Sequence, residues 1–157
     1  MSGKETNLKE KFRLALKSTA KVISDDFELN NKSFNEKKSK DLNAIEIENL
    51  TNSSDFIRLR AESDSAALKK KFSNDSIYKK NLPSNNSSRS LYNIAEKIRY
   101  EILGGKMFKG IEKNFHENYS QIIIHKRKDQ LKTKEDVPVV EAFELYMRKN
   151  FHQIKLN

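Results

Sequence analysis

Apolar residues recur at helical spacing along much of the chain. In residues 8–23, Leu8, Phe12, Ala15, Leu16, Thr19 and Ile23 fall on one stripe at i, i+4, i+7 and i+8. That spacing predicts an amphipathic helix with one side turned to a core. Lys9, Arg13, Lys17 and Lys21 lie off the stripe, and Thr6 or Asn7 is placed to cap its start. A basic amphipathic helix can lie on a membrane, but this one reads as docked on its own domain. The period then changes. Phe27, Leu29 and Phe34, and Ile45 and Ile47 alternating with Glu46 and Glu48, follow period two around a polar NEKKSKD turn. This predicts a small β-hairpin near residues 26–48, which needs a helix to lean on because two strands alone are marginal.

Helical spacing returns at about Asp55–Phe72, with Ile57, Ala61, Ser65, Leu68 and Phe72 as the stripe and Ser53 or Ser54 as the cap. Ala61, Ser63, Ser65, Ala66 and Ala67 leave this helix low in bulk, so another element can approach it closely. Asn74–Ser88, with Pro83 among Asn and Ser, reads as a loop. The next helix, about Arg89–Leu103, places Leu91, Ile94, Ala95, Ile98 and Ile102 together, with Ser87 or Ser88 as its cap. Gly104–Gly105 would end it, one of the two in the left-handed conformation. A further helix, about Lys106–Lys126, carries Ile111, Phe115, Tyr119 and Ile122. After a Lys-rich loop to Lys134, Pro138 sits in the first turn of a last helix, whose apolar side holds Val140, Phe143, Leu145, Met147 and Phe151. Gly110 sits inside a helix, where glycine is a poor choice, and so predicts a helix passing close to it. The expected fold is mainly α, about five helices in one compact domain over residues 1–157, with the hairpin as its only β element.

Composition narrows the function classes. No apolar run reaches the roughly 18–20 residues of a membrane span, and the start, MSGKETNLKEKF, lacks a signal core. A cytoplasmic location is expected. Cysteine is absent, which excludes disulfides, thiolate metal sites and Cys nucleophiles. The net charge of +9 raises a nucleic-acid or acidic partner. Yet the base is 24 Lys against only 7 Arg, beside 16 Asn, whereas phosphate readers favour the Arg fork. Nucleic-acid binding is therefore expected to be weak and salt-sensitive. A small basic nucleic-acid-binding protein remains the alternative to the reading developed below.

Three motifs bear on chemistry. LGGK at 103–106 suggests a phosphate cradle, but a P-loop follows a strand and reads GxxxxGK with a hydroxyl residue next; here a helix precedes and Met107 follows. A close helix–helix corner accounts for the glycines better. His116, His125 and His152 form no HxxxH or HExxH pair, and nine residues put the first two on opposite faces of one helix. Arg60 with Asp64, Arg89 with Asn93, and Glu96 with Arg99 stand three or four apart, hence adjacent on helices. They are surface pairs or parts of a partly buried polar network. No two acids flank a shared cleft.

These same positions resemble the N-terminal region of the CobT subunit of the aerobic cobaltochelatase. Arg60, Ser63, Asp64, Ser65, Ala67 and Leu68 match its first motif, and Arg89, Tyr92, Glu96, Arg99, Glu101 and Gly104 match its second without a gap. Gly110 and Ile111 match its later Gly-Val. The likeness is best over residues 55–115. Asn74–Asp75 and Tyr78 stand where the family has His-Asp and His, so no role of those histidines carries over. The resemblance implies a non-catalytic assembly or adaptor module of an ATP-dependent complex that inserts cobalt into the corrin ring during cobalamin biosynthesis. It implies two partners, an AAA+ ATPase subunit and a large tetrapyrrole-binding subunit. On this reading the chain holds no cofactor, metal or catalytic residue of its own; ATP, Mg and cobalt are handled by the partners or by missing domains. The family's acidic linker and von Willebrand A-type domain are not expected within these residues. Arg60, Asp64, Arg89, Tyr92, Glu96, Arg99, Glu101, Gly104 and Gly110 are the positions expected to matter, for structure or for partner binding.

Overall fold

The computed structural model describes residues 2–25, 52–129 and 137–152. They form six helices: α1 Ser2–Ser24, α2 Ser53–Phe72, α3 Asp75–Asn81, α4 Asn86–Met107, α5 Lys109–Asp129 and α6 Val139–Phe151. No strand occurs among the described residues, and the hairpin expected near residues 26–48 lies outside them. The backbone divides into two units, Met1–Lys71 and Phe72–Asn157.

In the first unit α1 and α2 meet at two points. Phe12 packs edge-on against Phe56 with ring centroids 4.9 Å apart, and Lys71 pairs with Asp25. Both helices advance in the same sense between these points, so they run parallel. Asp25 ends α1 in the left-handed region at φ 54°, a conformation that Asp adopts more readily than most non-glycine residues. Of the expected α1 stripe, Leu16 and Ile23 are buried, with Ala20 beside them; Leu8 is exposed. Asn52, not Ser53 or Ser54, caps α2. Its Oδ1 accepts from Asp55 N at 2.9 Å, and Asp55 Oδ2 accepts from Asn52 N at 3.3 Å, the reciprocal arrangement of a capping box. Burial on α2 is wider than one stripe. Leu59, Ala61, Ser63, Asp64, Ser65, Ala67 and Leu68 are all buried, which at 100° per residue covers well over half of the helix circumference.

The second unit is organised on α4, against which both α5 and α6 pack. Three expectations change here. First, the loop expected over Asn74–Ser88 contains a helix, α3. Asn74 caps it by accepting from Ser76 N and Ile77 N, so the Asn read as turn chemistry starts a helix instead. Asn85, not Ser87 or Ser88, likewise caps α4 by accepting from their backbone N–H groups. Second, Gly104 and Gly105 do not end α4. They lie inside it, buried, and no glycine among the described residues has positive φ. The helix ends at Met107, and Phe108 caps it with its N–H on Gly104 O at 2.9 Å. Lacking Cβ, Gly105 lets α5 in: an added Cβ would stand 3.3 Å from Glu112 Cβ. Third, Gly110 meets nothing. A Cβ there would have no neighbour within 4 Å, so the close helix expected at Gly110 passes at Gly105 instead. The core of this unit is Ile98, Tyr100, Ile111, Phe115, Tyr119 and Ile123. Of the expected stripes Ile98, Ile111, Phe115 and Tyr119 are buried, Leu91, Ile94, Ala95, Ile102 and Ile122 are only partly covered, and Tyr100 and Ile123 are buried in their stead.

Candidate functional site

Helix α4 carries most of the positions singled out in the sequence, and it presents them on two sides. Tyr92, Glu96 and Arg99 follow one another at i, i+4 and i+7, with Arg89 three residues ahead. This row fastens the segment Phe72–Pro83. Arg89 Nε donates to Pro83 O at 2.6 Å. Tyr92 stacks obliquely on Tyr78 at 5.4 Å, while the Tyr78 hydroxyl donates to Asn93 Oδ1. Arg99 donates to both Glu96 oxygens, at 2.8 and 2.6 Å, and to Phe72 O at 2.8 Å. Ser73 Oγ adds a bond of 3.3 Å to Glu96. The Arg99 guanidinium holds the Glu96 carboxyl below its usual range, against the opposing effect of burial. The Glu96–Arg99 pair expected from spacing is thus present. Arg89 and Asn93, also paired by spacing, turn to different partners.

The other side of α4 holds Glu101, a fully occluded carboxylate at 0% exposure. Its surroundings come from two other helices. Tyr119 of α5 donates its hydroxyl to both carboxylate oxygens at 2.8 Å. Arg148 of α6 donates to Glu101 Oε2 at 3.1 Å and, through Nε and a second amino group, to Glu144 Oε1 at 2.9 and 2.8 Å. Its guanidinium carbon lies 3.3 Å from the Tyr119 ring centroid, a cation–π contact in a site without water access. Lys97 approaches Glu101 from the rim at 4.0 Å. His152, capping α6, closes the cluster with its ring 5.7 Å from that of Tyr119 and 6.2 Å from that of Phe115. Burial, and then the Glu101 charge, push the Tyr119 phenol well above its ordinary range, so it stays a donor. Burial lowers His152 from 6.5 to about 4, so the ring is neutral.

Arg148, Tyr119, Glu144 and His152 are the cluster members that spacing did not reveal. One signal was available: Arg148 stands four residues after Glu144 and between the apolar Met147 and Phe151. A charged residue amid an apolar side is a candidate for burial with a partner. On α2, Asp64 is 1% exposed while Arg60 is exposed, so the first motif joins one buried and one surface position. Gly104 is buried and Gly110 is exposed. His116 and His125 are both on the exposed surface of α5. Among the described residues no three His, Asp or Glu side chains gather as a metal site, and no helix is long and apolar enough to cross a membrane.

A family model described as cobalamin biosynthesis protein CobT matches residues 6–156. The chain belongs to the CobT family. Membership of CobT, a cobaltochelatase subunit, places it in cobalamin biosynthesis. The match reaches beyond the best-fitting stretch 55–115 to take in α1 and α6, so the Glu101–Arg148 cluster lies within the matched region. No curated protein and no solved structure matches the chain.

Proposed function

We propose that this chain is a non-catalytic assembly module of an ATP-dependent cobaltochelatase, the complex that inserts cobalt into the corrin ring. Besides family membership, one observation supports this reading: the second motif's side chains are engaged inside their own unit. Arg89, Tyr92, Glu96 and Arg99 hold the Phe72–Pro83 segment, and Glu101 is enclosed by Tyr119 and Arg148. A carboxylate sealed from water and satisfied by a phenol and a guanidinium fixes helix packing. It is badly placed to exchange a proton with a substrate, which must reach it within hydrogen-bond distance. ATP hydrolysis and tetrapyrrole binding then belong to an AAA+ subunit and a large subunit. Cobalt is their substrate, and this chain supplies the rigid surface that joins them.

The test is reconstitution. The tagged chain is co-expressed with the AAA+ and large subunits of its own organism. Both are expected to co-purify with it, and ATP-dependent cobalt insertion is expected to require it. Purified alone, it is expected to turn over no ATP, since it has no Walker motif. ATP hydrolysis by the isolated chain, or full cobalt insertion without it, refutes the assembly role.

A further inference from the structure

Helix α6 is held in an unusual way. Its one buried residue is a charged one, Arg148. Its apolar residues Val140, Phe143, Leu145 and Met147 are only partly covered, and Tyr146 and Phe151 are 64% and 53% exposed. Docking of this helix therefore leans on the polar cluster more than on apolar burial. One member of that cluster is unsatisfied. The His152 side chain is 6% exposed, and its Nε2 lies 3.7 Å from Glu101 Oε2, beyond hydrogen-bond reach. It is a buried polar atom without a hydrogen-bond partner.

We infer that α6 is a proton-sensitive latch: it stays docked on α4 and α5 while His152 is uncharged, and acidification releases it ahead of the rest of its unit. The groups around His152 set the direction. From α4 comes Glu101, whose oxygens already accept from Tyr119 and Arg148, with Lys97 at the rim. From α5 come the Tyr119 and Phe115 rings and His116. From α6 itself come Arg148 and the Glu144 that it holds. A proton on His152 would put a second cation beside Arg148, on a carboxylate with its near positions taken. Burial weighs against that charge most; Glu101 partly opposes, and Arg148 and His116 add to it.

The sign follows from proton linkage. The docked ring titrates at about 4 and a free one at 6.5, so between these values the open form binds more protons. Docking is at full strength above pH 6.5 and weakens as pH falls towards 4. From pH 7 to pH 5 the open fraction of α6 rises about twenty-fold. This inference does not depend on the cobaltochelatase reading.

The experiment is amide hydrogen exchange on the full chain at pH 7 and pH 5, corrected for intrinsic rates. Protection over residues 139–151 is compared with protection in α4, in the native chain and in His152→Gln. A selective, roughly twenty-fold loss in α6 that vanishes in His152→Gln is expected. Unchanged α6 protection, loss in step with α4, or the same pH response in the variant overturns the latch. Should His152→Gln undock α6 already at pH 7, NMR titration of His152 in the native chain decides. A midpoint below about 5.5 supports the latch, and one at or above it refutes it.

Discussion

Replacing Arg148 with Met tests whether the buried cluster organises the second unit. Met preserves much of the length and the apolar stem while removing the guanidinium. Glu101 then keeps the Tyr119 hydroxyl but loses the 3.1 Å bond to Arg148, with Lys97 no nearer than 4.0 Å. Because Glu101 is 0% exposed and Arg148 2%, water cannot replace the lost partner. Stranding one member of such a pair costs roughly 3–5 kcal/mol. That is a large part of the roughly 5–15 kcal/mol that holds a domain together. Glu101→Gln is milder, about 1–3 kcal/mol: the amide oxygen still accepts from Tyr119, and Arg148 retains Glu144, itself 34% exposed. The double variant removes both charges, so it should be more stable than Arg148→Met alone. Urea unfolding followed by far-UV circular dichroism reads all three, which suits a chain without Trp. A cost below about 1 kcal/mol for Arg148→Met, or effects that add within about 0.5 kcal/mol in the double variant, would refute this account.

Three further substitutions probe the helices. Gly110→Ala should stabilise by about 0.5–1 kcal/mol in thermal melts, because a Cβ there meets open space and alanine is the better helix former; a lower melting temperature would reveal a contact at that face. Gly105→Leu should cost roughly 1–3 kcal/mol by overpacking against Glu112, whose Cβ stands 3.3 Å from the first added carbon; an unchanged urea midpoint would show that α5 moves aside freely. Asn85→Ala should cost about 0.5–2 kcal/mol by uncapping α4 at Ser87 and Ser88, and circular dichroism showing no loss of stability would mean that water caps the helix as well.

The stripe of α5 was legible because its apolar residues keep helical period: Ile111, Phe115 and Tyr119 are buried as spacing requires, whereas on α4 Ile98 is buried and Leu91, Ile94, Ala95 and Ile102 are only partly covered. The stripe of α2 was legible only in part. A helix covered on most of its circumference has no single face, and its Ala and Ser residues carry little periodic signal. The boundaries failed where one residue type serves two ends. Asn74 and Asn85 suit turns and helix caps equally, and α3 is a short helix hidden between them. The glycines misled for a related reason. A glycine pair after a helical run looks like a terminus, but burial against a neighbouring helix tolerates glycine inside one. Periodicity can show that Arg148 falls on an apolar side. It cannot show that Glu101, 47 residues earlier, waits opposite, because that pairing is made by packing alone.

The second motif makes sense once α4 is seen to face two ways. Its Tyr92–Glu96–Arg99 row grips the chain that precedes it, up to Phe72 O. Its Glu101–Gly105 end receives α5 at the glycine and α6 at the carboxylate. One helix thus fixes three neighbours, using side chains expected from the sequence to matter for structure or for partner binding. Charged groups buried in this way add little net stability compared with well-packed apolar ones. Their value lies in specificity, since Glu101 accepts only an arrangement that brings a phenol and a guanidinium together. In the assembly role proposed above, a uniquely set packing of α4, α5 and α6 would matter more than the last kcal/mol. On that proposal Arg89, Tyr92, Glu96, Arg99 and Glu101 act by fixing the packing of their own unit rather than by touching a substrate.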